Sequence, residues 1–525
     1  MANVSGIPVY KEIGATPAPT AKADAARVVI VGAGPVGLAM ALDLGRRGHE
    51  VVVLTRLAFI AHCSKAICFS KRSLDILDRL GVGDPAIDKG VTWNVGKVFW
   101  GAGDAPVYQF DMLPVKDQKR PGFINIQQYY VEEYLLDGVR RLPNVKIRWG
   151  HRVDQVTPKN DSVELAVTAD EGGAYTLQAE WLIACDGARS TVRDRLGLDF
   201  EGRVFEDNFL IADIRMKHEM PSERWFWFDP PFNPGRSALI HKQPDDVWRL
   251  DFQLGWNIDR EAVTRPENVE PFIRAMLGDE VEFEREWYSV YTFQCRRMAR
   301  FVHGRTIFAG DAAHLVSPFG ARGCNGGFAD VDNLGWKLDL VLRGETDEDL
   351  IETYNEEAVA TADENILNST RSTDFLTPKS TASQGLRDAV LELARDHAYA
   401  RPFVNSGRLS TAVSYPASRL STPDVEEWAN GAAPGSPVLD APHGDGWLLE
   451  TLGDDFVLVA RGWRGKAPAG VRLVEVEGLA AERLGLTEGA AALVRPDQYV
   501  AARWKSSEPA AVAAALARAK GGRHG

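Results

Sequence analysis

The run Arg27-Val-Val-Ile-Val-Gly32-Ala-Gly34-Pro35-Val36-Gly37 constrains the fold of this 525-residue chain more than any other segment. Its β-branched apolar residues predict a strand buried on both faces, and the glycine turn follows it directly. Gly32 permits the tight turn, Gly34 lets backbone approach a pyrophosphate, and Gly37 lets the next helix sit close to the sheet. That helix opens with Pro35 and Val36, and its free N–H groups point at phosphate charge. Leu38–Arg47 has helical character and Val51–Leu54 is a second apolar strand. Strand, helix and strand make a βαβ unit and predict an α/β, Rossmann-like parallel sheet covered by helices.

The second strand of such a unit ordinarily ends in a carboxylate that accepts hydrogen bonds from an adenosine ribose. Here the place is held by Thr55, followed by Arg56. Either the adenosine end is held by a neutral hydrogen bond, or Arg56 meets a 2′-phosphate and the ligand is NADP. Two later segments repeat the strand-then-glycine grammar. Cys185-Asp186-Gly187-Ala-Arg189-Ser190 follows the apolar strand Trp181–Cys185, and Gly310-Asp311-Ala-Ala-His314 follows Thr306–Ala309. Each sets a carboxylate just past a strand end, at the edge of an open α/β sheet where ligands bind.

Composition bounds the rest. Sixty Lys+Arg against 73 Asp+Glu give a net charge of −13, which disfavours nucleic acid and anionic membrane as partners. The longest uncharged apolar run, Val28–Leu42, is too short and glycine-rich to span a bilayer. The five cysteines form no CxxC pair, so neither a zinc site nor a disulfide framework is expected. The expectation is a soluble cytoplasmic protein without a metal.

Along the chain, residues 1–26 read as a mobile tail, 27–204 as the first part of the nucleotide domain, and 296–410 as its second part with helices. Between them, 205–295 carries aromatic-rich strands and predicts an inserted antiparallel sheet. Val145–Trp149 and Ser162–Thr168 alternate in polarity and are expected to be antiparallel strands with one wet face. A Ser/Thr/Pro/Gly-rich shift near 405–445 sets off a C-terminal domain at 411–525.

The glycine motif, the DGARSxVR motif and the run GDAAHLVSPFGARGCNGGFADVDNLGWKL resemble the class A flavoprotein monooxygenases, the FAD-dependent aromatic hydroxylases of the para-hydroxybenzoate hydroxylase fold. The resemblance covers about residues 27–375. The C-terminal segment resembles the thioredoxin-like domain of the phenol hydroxylase and 3-(3-hydroxyphenyl)propionate hydroxylase branch, without CxxC.

The resemblance implies FAD as cofactor, with NADH or NADPH as transient reductant. It implies hydroxylation of a phenolic or related aromatic compound by O₂ through a flavin C4a-hydroperoxide. Asp311 would bind the ribityl chain, and Asp186 and Gly187 would lie near the pyrophosphate. The loop Pro318 to Asn325 would line the isoalloxazine, with the helix start at Gly323, Cys324 and Asn325 stabilising negative charge on reduced flavin. Relatives commonly place Arg where this chain has Lys65, a point charge without a fork, and Arg72 is expected to supplement it. With Thr55, Lys65 predicts FAD that dissociates readily. A homodimer is the assembly the appended domain suggests.

On the substrate side, Trp225, Trp227, Gln253 and Tyr291 are candidate pocket residues of the aromatic-rich sheet. His241 is the candidate group for assisting phenol deprotonation, since phenol titrates near pH 10 (about three units above neutral). Gln128 and Tyr129 are candidates at the cofactor and pocket edges, and Pro318 in the catalytic loop. Two rivals remain open at this stage: a FAD oxidoreductase that does not oxygenate, and a non-catalytic nucleotide-binding protein.

Overall fold

A computed structural model describes residues 8–62, 65–217, 220–404, 410–506 and 508–522. Cys63 and Ser64, beside Lys65, lie outside the described residues.

Two eight-stranded sheets and a smaller C-terminal sheet organise the chain. In the first, Ala23–Val31 lies between Val51–Thr55 and Gly173–Ala184, parallel to both. Val28, Val29 and Ile30 are fully buried, as the strand's composition requires. Val31, Ala184 and Phe308 are in register across neighbouring strands. The three motif loops therefore leave the same sheet edge side by side, although more than 120 residues separate consecutive loops.

The second sheet runs in the order His314–Leu315, Glu284–Arg297, Glu201–Arg215, Val247–Gln253, Ser237–Lys242, Arg224–Phe228, Val95–Trp100, Tyr108–Asp111. It is mostly antiparallel, with Arg224–Phe228 parallel to Val95–Trp100. Its extent corrects the expected 205–295 segment. It begins at Glu201, continues to Arg297 and recruits two strands from before residue 112. Edge strands leave backbone groups to be paired, and here that pairing comes from distant sequence.

Two other expectations are corrected. Val145–Trp149 pairs parallel with Val51–Thr55, not antiparallel: it is the outermost strand of the nucleotide sheet, and its alternating polarity reflects that half-exposed place, not its direction. The tail read at 1–26 is ordered where described: Val9–Glu12 pairs with Phe59–Ala61, and the central strand already begins at Ala23. Tyr10 anchors the segment by stacking on Tyr129 at 4.3 Å between ring centroids.

The C-terminal sheet has the order Arg472–Glu475, Val457–Ala460, Ala491–Val494, Val500–Trp504, flanked by helices Gly478–Leu484 and Pro509–Ala519. It packs on the long helix Gly323–Leu342, where Trp336 meets Phe456 edge to face at 5.6 Å. None of the helices among the described residues is long and apolar enough to cross a membrane, and none of their His/Cys/Asp/Glu groups could hold a metal ion.

Candidate active site

The first loop is built on backbone geometry. Gly32 has φ +110°, and a Cβ there would lie 2.3 Å from the Cys185 carbonyl oxygen. A Cβ on Gly37 would lie 1.9 Å from the Gly32 oxygen, so the helix Pro35–Arg46 sits against the turn itself. A Cβ on Gly34 would meet nothing within 4 Å. Two glycines are thus fixed by packing, while Gly34 faces open space at the helix start, where a phosphate binds.

The second and third loops are stapled together. Arg193 donates to the Ala312 carbonyl at 2.9 Å and to the Ala188 carbonyl at 2.8 Å. Asp330 accepts from the Gly310 N–H at 2.8 Å and lies 2.7 Å from His314 Nε2, holding the turn before Asp311. Asp186 accepts from Val192 N–H through Oδ2, while its buried Oδ1 has no protein partner. Gly187 adopts φ +83° beside it with open space where a Cβ would stand. Burial raises the Asp311 carboxyl, with the Lys65 charge opposing.

Across the crevice, Gln128 accepts from the Ala66 N–H at 3.1 Å and donates to Glu132 at 2.7 Å. Glu132 is a buried carboxyl pushed up to about 7 by burial, within the fields of Lys65 and Cys324. The sequence reading passed over it; its signal was the four-residue spacing from Gln128, one helical turn on the same face. Lys65 is exposed. Thr55 is buried and its hydroxyl accepts from Leu57 N–H, with exposed Arg56 beside it. Arg72 is a correction: it is bound to Asp332 at 2.8 Å and to the Asp497 carbonyl, so the C-terminal domain claims it.

The helix Gly323–Leu342 starts at the crevice, and its first N–H groups, at Gly323, Cys324 and Asn325, have no intrahelical partner. Burial raises the Cys324 thiol, which stays protonated. Asn325 turns its side chain away to accept from Ser70 N–H at 3.0 Å and donate to the Cys68 carbonyl at 3.0 Å. Only its backbone is left for a cofactor. Pro318 is exposed in the preceding loop. Phe319 packs edge-on against Phe209 at 4.9 Å and Phe293 at 5.0 Å, which seats the loop on the second sheet.

Strand alternation decides which side chains of that sheet face the loop. One cross-strand row on the loop side contains Arg224, His241, Arg249, Asp213 and Trp287. Two rows further lie Phe228, Phe209 and Tyr291. Tyr291 is 38% exposed, within the field of Asp311, and burial raises its hydroxyl. Gln253 shares that row, but its Oε1 is engaged by Ser237 N–H at 2.9 Å.

Trp225 and Trp227 are corrections: they point to the opposite face, where Phe99 stacks on Trp227 at 5.2 Å. Tyr129 is likewise corrected, since its ring is stacked between Tyr10 and His62 and only 6% exposed.

The residues present fit FAD: an open glycine cradle, an orphaned buried Asp186 oxygen, an unengaged Asp311 carboxyl and a helix start converge on one crevice. Asp311→Ala is expected to leave the melting temperature of the apoprotein unchanged or raised, because burial already disfavours that carboxylate. Flavin retention should fall at least tenfold, since charge-assisted hydrogen bonds contribute about 1.5–3 kcal/mol each. The absorbance ratio at the flavin and protein bands after gel filtration checks this.

Comparison with known proteins agrees with that geometry. The FAD binding domain family matches residues 25–369. The chain is 31% identical over 370 residues to a 3-(3-hydroxy-phenyl)propionate/3-hydroxycinnamic acid hydroxylase of Escherichia coli, the match covering 69% of this chain and 65% of that protein. Against the enzyme of that name from Klebsiella pneumoniae it is 27% identical over 523 residues, 91% of each chain. Among solved structures, the flavin-dependent monooxygenase PieE, determined with FAD and substrate, superposes with a TM-score of 0.79 at 21% identity, covering 96% of this chain and 100% of that one. With the matched region running from the glycine turn past the helix Gly323–Leu342, the chain belongs to the FAD binding domain family.

Proposed function

We propose that the protein is an FAD-dependent monooxygenase that hydroxylates a phenolic or related aromatic compound, with NADH or NADPH and O₂ as co-substrates. The observation that carries this reading is the juxtaposition of the FAD crevice, across loop 318–325, with a sheet face bearing the buried His241. Bound in that crevice by Asp186, Asp311 and the glycine turn, FAD would supply the redox chemistry, linking nicotinamide oxidation to O₂ activation and transfer of one oxygen atom.

The chain's own residues then have definite tasks. Burial, with help from the Arg224 charge, lowers His241 to about 4, so the imidazole is neutral at pH 7. Asp251 lies 3.4 Å from Nε2 and favours the tautomer with its proton there, while Nδ1 has no partner and is left to accept. A neutral imidazole accepts a hydrogen bond from the phenolic O–H and so raises electron density in the ring. Phe209, Phe293 and Phe319 keep water from the reacting face. The relatives are named for phenols that carry a carboxylate, and those compounds head the panel to be tried.

The test measures NAD(P)H oxidation, O₂ consumption and product for such a panel. Hydroxylated product in step with nicotinamide oxidised is expected; nicotinamide oxidation without product would favour a FAD oxidoreductase that does not oxygenate. His241→Asn is expected to lower turnover at pH 7 by about 100-fold, the usual scale of a positioned base. Activity should recover as pH rises toward the phenol's own pKa, a profile that loss of packing alone does not produce.

A further inference from the structure

Arg224 is 4% exposed, and no carboxylate among the described residues lies within ion-pair distance of it. Its Nη1 donates to Cys68 Sγ at 3.3 Å, and its Nε has no partner. Burial raises Cys68, so the sulfur it meets is a neutral thiol and no counter-ion. The guanidinium also lies over the rings of Trp93 at 5.7 Å and Phe226 at 5.1 Å, which hold its plane. A buried cation with no anion in ion-pair reach is costly, and an anionic ligand that entered beside it would remove that cost.

The neighbouring charges sharpen the point. In the same row Arg249 is bound by Asp213 through two contacts of 2.7 Å, a closed bidentate pair. His241, directly across from Arg224, has Nδ1 without a partner. Asp251 stands one row further along, nearer to His241 than to the guanidinium. Cys68 in turn is tied through its carbonyl to Asn325, at the start of the helix that opens on the FAD crevice. Arg224 therefore lies at the end of the inner sheet face that borders the cofactor loop.

We propose that Arg224 is the substrate's anion anchor: its Nε and a terminal nitrogen grip a carboxylate carried by the aromatic compound, while His241 beside it serves the phenol. This rests on the monooxygenase reading and specifies its substrate class as a hydroxylated aromatic acid. A carboxylate fits better than a phenolate, because the orphaned cation needs an anion that is charged before it enters, and because two parallel N–H donors match a carboxylate's two oxygens.

The experiment titrates the FAD-loaded protein with 3-(3-hydroxyphenyl)propionate and with its carboxamide, following the flavin absorbance. Wild type is expected to bind the acid at least tenfold more tightly than the amide. Arg224→Gln should weaken the acid tenfold or more and leave the amide within twofold; Arg224→Lys, which keeps charge without the fork, should fall between. Equal Kd values for acid and amide in the wild type overturn the proposal, as does a flavin-retaining Arg224→Gln protein that loses both probes equally. Should Arg224→Gln fail to fold, Arg224→Lys takes its place, and an acid-to-amide ratio there equal to that of the wild type overturns the assignment. Hydroxylation of meta-cresol but not of the acid overturns the anchor and leaves aromatic hydroxylation standing, whereas nicotinamide oxidation without any hydroxylated product removes the monooxygenase reading beneath it.

Discussion

Gly37→Ala is expected to yield a protein with little bound flavin and a clearly lowered melting temperature. The added methyl would sit 1.9 Å from the Gly32 carbonyl oxygen and 3.3 Å from the Cys185 side chain. Neither neighbour can yield cheaply, because Gly32 is itself pressed against the Cys185 backbone. The helix Pro35–Arg46 must therefore lift off the turn, at a cost of about 1–3 kcal/mol for overpacking. Lifting the helix also moves the N–H groups that bind phosphate. Gly34→Ala is the informative contrast. Its backbone, at φ −79°, suits alanine and its Cβ meets no protein atom, so stability should hold. A methyl there intrudes only on the pyrophosphate, so flavin should be lost while the apoprotein melts as before. Thermal melts of the two apoproteins, with flavin content on purification, separate packing from ligand contact; equal behaviour of the two variants would refute the division of labour among the glycines.

What could be read ahead of the structure follows the same division. Gly32, Asp186 and Asp311 were legible because a buried strand, a turn and a carboxylate are local patterns, and the register of Val31, Ala184 and Phe308 brings them to one edge. His241 was legible as the polar end of an apolar strand, but its face is set by pairing with Arg224 and Arg249. Alternation failed for Trp225 and Trp227, because Arg224–Phe228 has large aromatic side chains on both faces and the sheet is covered on both. Polarity then marks neither side as inner. Tyr129 and Arg72 were misread for another reason: the groups that claim them, Tyr10 and Asp497, lie 119 and 425 residues away. Arg224 itself carries no local signature at all. What singles it out is the lack of a partner in three dimensions.

The other large effect concerns the joint between the nucleotide domain and the C-terminal sheet. Glu357 is 3% exposed and accepts from Lys337 at 2.7 Å, Asn333 at 2.6 Å and Ser418 at 2.6 Å, and from both terminal nitrogens of Arg495 at 2.7 and 2.9 Å. Lys337 and Arg495 have no exposure whatever, and Arg495 is further held by Asp497. Glu357→Ala is expected to destabilise the protein by about 3–5 kcal/mol, the scale for stranding a buried charge. Exchanging the pair together, Lys337→Met with Glu357→Met, should recover much of that loss, since the stranded charge goes with its partner.

The pH dependence has a definite sign. Arg495 and Lys337 hold the Glu357 carboxyl far below its unfolded value near 4.3 (an approximate reference), so its contribution is intact above that pH and lost as pH falls below it. Glu357→Gln should flatten that acid limb. Because the helix Gly323–Leu342 carries Lys337 near one end and the cofactor N–H groups at the other, loosening the joint should also weaken flavin retention. Melts between pH 3 and 7 (roughly the window over which Glu357 titrates in the unfolded chain), with flavin release followed in parallel, test both claims. A Glu357→Ala protein as stable as the wild type, or one that loses its C-terminal contacts yet keeps flavin equally well, would show that the joint and the crevice are independent.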